Sequence, residues 1–255
     1  MKITFLGTGT SQGVPVIACP CEVCHSTDIH DNRLRSSVLI EHKGKTIIID
    51  TGPDFRQQML RANVMNLDAI LYTHGHKDHI AGLDDIRAYN YLHQKPVDIY
   101  AEKRVQADLK REYAYVFEDF KYPGIPEINL FDINDEDFYI DDIAVTPIRV
   151  MHHKLPILGY RIGDFVYITD ANFISGDELE KIKGAKVFVL NALRRKKHLS
   201  HFNLEEALEI IEETKPQTAY LTHISHMLGF HSEVQGELPP NVFLAYDCLT
   251  LFIDC

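Results

Sequence analysis

The chain has 255 residues, 45% hydrophobic and 25% charged, and its 37 Asp and Glu against 26 Lys and Arg give a net charge of −11. That mixture fits one globular domain with an ample core and excludes a disordered or fibrous chain. The acidic balance works against polyphosphate backbones, so nucleic acid is a disfavoured partner.

The opening run MKITFLGTGTSQG reaches glycines after a short apolar stretch, which argues against a signal peptide. No segment approaches 18 uninterrupted apolar residues, so no membrane span is expected. KITFL reads as a strand, and SSVLIEH and TIIID read as a hairpin turned at Lys43-Gly44-Lys45. DFRQQMLRAN has helical spacing, LDAILYTH reads as a buried strand, and AGLDDIRAYNYLH and KRVQADLKREYAYVF read as helices. Strands follow at DIAVTPIRV, GYRIG and FVYITD, the last two as a hairpin. Then come a helix at GDELEKIK, a strand at KVFVLNA, a helix at NLEEALEIIEET and a strand at TAYLTHI, before the closing run VFLAYDCLTLFID. Hairpins, then helices, then hairpins again predict an α/β chain built as a mixed sandwich rather than a doubly wound parallel sheet. No linker rich in Pro, Gly or Ser interrupts residues 1–255, which are read as one domain.

Fourteen histidines are the unusual entry in the composition. The run THGHKDH, just after LDAILY, places His74, His76, Asp78 and His79 within six positions. A strand end turning into a helix can aim such side chains into one pocket, and all four are ligands for zinc-like cations. Four ligands in one loop exceed what one ion takes from a single segment, so two metals are expected. Further ligands stand at other strand ends: His152 or His153 in IRVMHHK, Asp170 in VYITDAN, and His223 and His226 in AYLTHISH.

The H-x-H-x-D-H motif, followed by a His, an Asp and a final His at strand ends, resembles the metallo-β-lactamase superfamily from the first strand to the last. The resemblance implies a four-layer αβ/βα sandwich and a dinuclear centre of divalent metals, zinc or manganese. In it His74, His76 and His152 hold one ion, Asp78, His79 and His223 hold the second, and Asp170 bridges. It also implies that Asp50 in IIIDTG lies beneath the site and orients a ligand histidine.

Five cysteines, an odd number, with three of them packed into ACPCEVC, fit a reducing, cytoplasmic setting in which clustered thiols bind metal. Cys248 and Cys255 are the other two. Cys19, Cys21 and Cys24 need a fourth ligand for a closed tetrahedral zinc site. His226, His25 and His30 are the candidates. The run GTGTSQGVP, the C-x-C-x2-C cluster and THISH together resemble the PhnP-like branch of phosphoribosyl 1,2-cyclic phosphate phosphodiesterases. That branch implies a structural zinc held by Cys19, Cys21, Cys24 and His226.

Two metals about 3.5–4 Å apart acidify water and offset charge on phosphorus. The leaving oxygen needs a proton, for which KKHLSHFNLEEAL offers His198 and His201. The resemblance favours His201, with Asp78 and Asp170 completing the catalytic set. Arg33, Arg35 and Lys154 are cations able to meet a phosphate. The expected enzyme is therefore a metal-dependent hydrolase of a small cyclic phosphodiester, with no membrane partner and with a homodimer left open. A tRNA 3′-processing endonuclease shares the metal motif, but the chain has no basic Gly/Pro-rich insertion. A metal-binding protein without turnover is the third reading, and the intact acid-and-histidine set argues against it.

Overall fold

Residues 1–119 and 123–254 are described by the computed structural model; Cys255 lies outside them. The β-branched and aliphatic runs form strands in which successive side chains face opposite sides. In KTIII, Ile47 and Ile49 enter one core while Ile48 enters another.

The first half runs β1 (Lys2–Gly7), β2 (Ser37–His42), β3 (Lys45–Ile49), α1 (Phe55–Arg61), β4 (Ala69–Leu71), α2 (Lys77–Ile80), α3 (Arg87–His93), β5 (Val97–Ala101), α4 (Lys103–Glu112) and β6 (Ile128–Asp132). The second half begins with β7 (Phe138–Ile140), β8 (Ile143–His152), β9 (Leu155–Ile162), β10 (Phe165–Tyr167) and β11 (Phe173–Ile174). It ends with α5 (Gly176–Ile182), β12 (Val187–Asn191), α6 (Leu204–Thr214), β13 (Thr218–Thr222), α7 (His231–Glu237), β14 (Val242–Leu244) and β15 (Thr250–Phe252).

One sheet has the order β15-β1-β2-β3-β4-β5-β6, and the other β11-β8-β9-β10-β12-β13-β14 with β7 on β8. Along each of these orders three antiparallel pairings are followed by three parallel ones. The inner faces share a core of Phe5, Ile47 and Leu71 with Leu158, Tyr160 and Val189. Outside the first sheet, Phe55, Ile80, Val105 and Leu109 pack on Ile48 and Ile70. Outside the second, Leu179, Ile182, Ala207 and Ile211 pack on Phe188, Leu190 and Leu221. These three cores between four layers make the αβ/βα sandwich that the motif resemblance implies. Among the described residues no helix is long and apolar enough to cross a membrane.

Several elements differ from the sequence reading. The strand expected over LDAILYTH ends at Leu71; the Tyr72 N–H still bonds the Tyr100 carbonyl at 3.1 Å, and residues 73–76 turn away from the first sheet. The helix expected from Ala81 begins as a 3-10 turn at Leu83–Ile86, where the i, i+3 pair Leu83 and Ile86 is buried together. Strands β5, β6, β7 and β11 and helix α7 have no counterpart in the sequence reading.

Helix α6 has a reciprocal N-terminal lock. Asn203 Oδ1 accepts from the Glu206 N–H at 2.8 Å, and the Asn203 N–H donates to Glu206 Oε2 at 3.0 Å. Asn203→Ala is expected to lower the unfolding free energy by about 1 kcal/mol. Urea denaturation measures this, and an unchanged midpoint would show that the lock contributes nothing.

Candidate metal centre

Beyond Leu71 the chain leaves the first sheet and carries His74 inward, with no exposed surface. Its Nδ1 lies 2.9 Å from Thr73 Oγ1, and its Nε2 lies 3.0 Å from Nδ1 of His76. Gly75 between them lets the Asp108 carboxylate of α4 approach closely, since a β-carbon there would require that side chain to move. Asp78 and His79 follow on the single turn of α2.

Asp50, fully buried beyond β3, organises this loop from below. It accepts the Thr73 N–H at 2.9 Å, the Thr73 hydroxyl at 2.8 Å and the His79 Nδ1–H at 2.6 Å. The His79 Nε2 atom therefore faces the cluster. Asp170 Oδ2 and Asp78 Oδ2 lie 2.9 and 3.2 Å from it, yet this buried nitrogen has no aligned hydrogen-bond partner. Burial disfavours a charge on His79, but Asp170, Asp78 and Asp50 outweigh it and raise its affinity for a proton well above the usual histidine range. A site that draws a proton so strongly also draws a metal cation.

The second sheet supplies the rest. His152, the last residue of β8, donates from Nδ1 toward the carbonyls of Asp170 (2.7 Å) and Ser200 (2.9 Å). That fixes its tautomer and leaves Nε2 as the free ligand atom. Donor atoms of His74, His76 and His152 all lie within 4.8 Å of one another. His153 instead is exposed, with its backbone N–H on Asn172 Oδ1.

The Asp170 carboxylate stands at the middle. Oδ1 is 2.8 Å from His201 Nε2 and 3.0 Å from His223 Nε2, while Oδ2 faces His79. Burial alone would raise its pKa, but His223, His79 and His201 together hold it well below the usual carboxylate range. Asp78, Asp170 and His223 form a second group within 4.8 Å. Asp50, Asp170 and His223 all have left-handed backbones, with φ of 64°, 59° and 55°. Such strain at non-glycine residues is held only where the surroundings enforce it, and it concentrates at functional sites. His201 Nδ1 is 3.1 Å from His198 Nδ1 and 3.0 Å from Ser200 Oγ, so of the two candidate proton donors His201 touches the carboxylate and His198 stands behind it.

A separate cluster joins Cys19, Cys21, Cys24 and His226, whose donor atoms also lie within 4.8 Å. His226 Nδ1 is 3.3 Å from Cys19 Sγ and 3.2 Å from Cys21 Sγ, and the latter contact helps push the Cys21 thiol down to about 6. His25 turns to the Cys21 carbonyl, and His30 pairs with Asp28 and stacks on His231. Imidazole and carboxylate donors in the first site suit zinc or manganese, and three thiols with an imidazole in the second suit tetrahedral zinc.

Among the cations considered for phosphate, Arg33 is buried and bonded to Thr8 Oγ1 and the Ala245 carbonyl. Arg35 is tied to Asp54, while Lys154 is exposed beside His153. The sequence reading missed the hydroxyls around the rings: Thr10 lies 3.3 Å from His223 Nε2, and Ser36 and Thr169 lie 3.3 and 3.4 Å from its Nδ1. A signal was present, since Thr73, Thr169 and Thr222 each immediately precede His74, Asp170 and His223.

Residues 45–224 match the family model described as the β-lactamase superfamily domain. A solved structure described as a new diphosphatase from the PhnP family is 39% identical, with a TM-score of 0.93 and coverage of 99% of this chain and 98% of that one. An octanoyltransferase of Porphyromonas gingivalis is 42% identical over 257 residues, covering 100% of this chain and 52% of its own length. A ribonuclease Z of Nostoc punctiforme is 28% identical over 64% of this chain and 47% of its own. The chain spans about half the length of the curated relatives it matches.

Asp50→Ala would leave the Thr73 N–H and the His79 Nδ1–H buried without an acceptor. Each such donor costs about 1–3 kcal/mol, so a stability loss of at least about 2 kcal/mol is expected. Equilibrium unfolding of the metal-free protein measures it, and a loss within error of zero would show that Asp50 does not anchor the loop.

Proposed function

The chain belongs to the β-lactamase superfamily, in its PhnP-like branch, and we propose that it is a dinuclear-metal phosphodiesterase that hydrolyses a small cyclic phosphate ester of the phosphoribosyl 1,2-cyclic phosphate type. The observation that carries this reading is the Asp170 carboxylate, which lies within 4.8 Å of donor atoms of His74 and His79, of His152 and His201, and of Asp78 and His223, and so reaches residues of both ligand sets. In this reading His74, His76 and His152 hold one ion, Asp78, His79 and His223 hold the other, and Asp170 lies between them.

Bound there, two divalent ions would supply Lewis acidity, activating water and offsetting the negative charge that builds on phosphorus. The chain's own residues do the rest. Asp50 keeps His79 Nδ1 protonated and its Nε2 directed at the cluster, and the Asp170 and Ser200 carbonyls do the same for His152. His201, held at Nε2 by Asp170 and flanked at Nδ1 by Ser200 and His198, is positioned to give a proton to the departing alkoxide. Cys19, Cys21, Cys24 and His226 hold a structural zinc away from the chemistry. The cysteine usage fits work in the cytoplasm. The octanoyltransferase name is not carried over, because about half of that relative lies outside this chain and nothing in this donor set recognises an acyl group.

Elemental analysis of the purified protein is expected to find two ions that chelators strip with loss of activity, and a third that resists because its thiolate sphere is closed. The same preparation, assayed on cyclic and linear phosphodiesters, a nucleoside diphosphate and precursor tRNA, should turn over a sugar cyclic phosphate best. Cleavage of precursor tRNA alone would replace this reading with a ribonuclease Z-like one, and full activity after metal removal would sink both.

His201→Ala is expected to lower kcat by about 10²–10⁴-fold on an alkyl phosphodiester. The loss should shrink on a p-nitrophenyl ester, whose leaving group departs without a proton. An equal loss on both substrates, or loss of a catalytic ion, would remove His201 from the proton-donor role.

A further inference from the structure

Residues 17–24, IACPCEVC, are joined to the rest of the molecule through sulfur. The chain is anchored on either side of them. The Val14 N–H bonds the Arg33 carbonyl at 2.9 Å and the Arg33 N–H returns to the Val14 carbonyl at 2.7 Å, while Asp31 Oδ1 accepts the His231 N–H at 2.7 Å. Between these anchors, among the described residues, every hydrogen bond of residues 17–24 stays within residues 16–26, apart from the contacts of Cys19 and Cys21 with His226 Nδ1 at 3.3 and 3.2 Å. Ile17, the largest aliphatic side chain of the segment, is 94% exposed and adds no anchor in the core. The cysteine cluster is therefore the clasp of a surface flap.

Two of the thiols are placed to react with each other. Glu22 has helical backbone, with φ −60° and ψ −38°, and Val23–His25 form a 3-10 turn, so Cys21 and Cys24 stand three residues apart on one turn. Side chains at that spacing project to the same side. Such a turn brings the two α-carbons within about 7 Å, near the span of a disulfide. The Cys24 N–H donates to Cys21 Sγ at 3.4 Å, and the sulfurs lie within 4.8 Å of one another and of His226. Cys19, Cys21 and Cys24 are half-buried, open enough for a small oxidant to reach them.

We propose that Cys21 and Cys24 are a site of oxidative modification, where a hydroperoxide converts the zinc-binding thiolates to a disulfide and frees residues 17–24. The inference rests on the structural-zinc reading and adds to it a second state of the same thiols. The Cys21 thiolate attacks the terminal oxygen of the hydroperoxide. The O–O bond breaks, an S–O bond forms, and the departing alkoxide takes a proton to become an alcohol. The Cys24 thiolate then attacks the Cys21 sulfur, and the expelled hydroxide takes a second proton to become water. Two electrons pass from the thiolates to the peroxide, and a dithiol reductant returns them. With Cys21 and Cys24 joined to each other, Cys19 and His226 no longer make a closed tetrahedral sphere, and the ion is lost. His226 lies three residues beyond His223, in a segment where Ile224 bonds to both Thr8 and Thr10. Oxidation thus detaches the flap from the stretch that carries a ligand of the dinuclear centre.

The test uses the metal-loaded full chain carrying Cys248→Ser and Cys255→Ser, so that only the cluster holds thiols. Native mass spectrometry after treatment with hydrogen peroxide should show the loss of about one zinc ion per chain, as for a closed site deprived of half its ligands. Peptide mapping without reductant should locate a disulfide between Cys21 and Cys24. Cleavage by Glu-C protease after exposed Glu22 should become faster by about tenfold or more, as expected when a site opens locally. Dithiothreitol with added zinc should restore the metal count and the resistance to protease. Zinc loss without a disulfide, a disulfide that includes Cys19 instead, or cleavage after Glu22 unchanged by oxidation overturns the proposal. An unoxidised chain that releases no zinc when a mercurial titrates its thiols would count against the structural-zinc reading, and the mapped disulfide with the cleavage rate would then decide the oxidation site separately.

Discussion

A buried carboxylate at the meeting edge of two sheets is the constraint from which the rest of the centre follows. Asp170 is 2% exposed, and a charge so far from water costs several kcal/mol unless it is matched by positive charge and hydrogen-bond donors. The chain meets that demand with imidazoles from three separate segments, His79, His201 and His223, none of them adjacent in sequence. Their arrival from three segments requires that both sheets end at one place. It also requires left-handed backbone at Asp170 and His223 to turn the side chains inward. The ring nitrogens around this carboxylate form a receptacle for cations, and the fold is what prevents them from relaxing toward solvent.

How much of this could be read beforehand depended on how local each feature is. The THGHKDH run concentrates four ligands in six positions, so composition and spacing alone exposed it. Asp170, His152 and His223 are single residues at strand ends, legible only because the order of motifs resembles a family. The cysteine cluster was legible as metal ligands, but its fourth member lies more than two hundred positions away, and only the fold separates His226 from His25 and His30. Strands β5 and β6 escaped notice for different reasons. VDIYA is short and follows a proline, while INLFD is an edge strand with alternate residues exposed and no buried run to mark it. Backbone twist at Asp50, Asp170 and His223 has no sequence signature in residues that are not glycine. Arg33 shows the opposite hazard: a cation in a suggestive position that is consumed in holding Thr8 and Ala245 together.

That role of Arg33 belongs to a wider pattern in which the first and last segments are sewn to each other. Asp247 accepts from the Thr8 N–H and hydroxyl and from the Leu34 N–H, and it pairs with Arg61. The Gly9 region bridges to both Arg35 and Ile224, and the Thr10 N–H bonds the Ile224 carbonyl. The cysteine cluster lies in the same seam, since it joins residues 19–24 to the turn that follows His223. A metal held there would act on the chemistry indirectly, by fixing the wall against which the His223 ring rests.

The matching order of pairings in the two sheets has one more consequence. The fourth strand of each sheet in these orders, β3 in one and β10 in the other, is followed by an aspartate with left-handed backbone, Asp50 and Asp170. The two acids thus follow strands at the same place in the two pairing orders, Asp50 directly and Asp170 after Ile168 and Thr169. Their duties nevertheless diverge, because their surroundings do: Asp50 is saturated by donors from its own half, whereas Asp170 faces ring nitrogens from both. Two sheets paired in the same order have in this way produced an asymmetric division of labour, with one carboxylate serving as a fixed strut and its counterpart left with lone pairs to share.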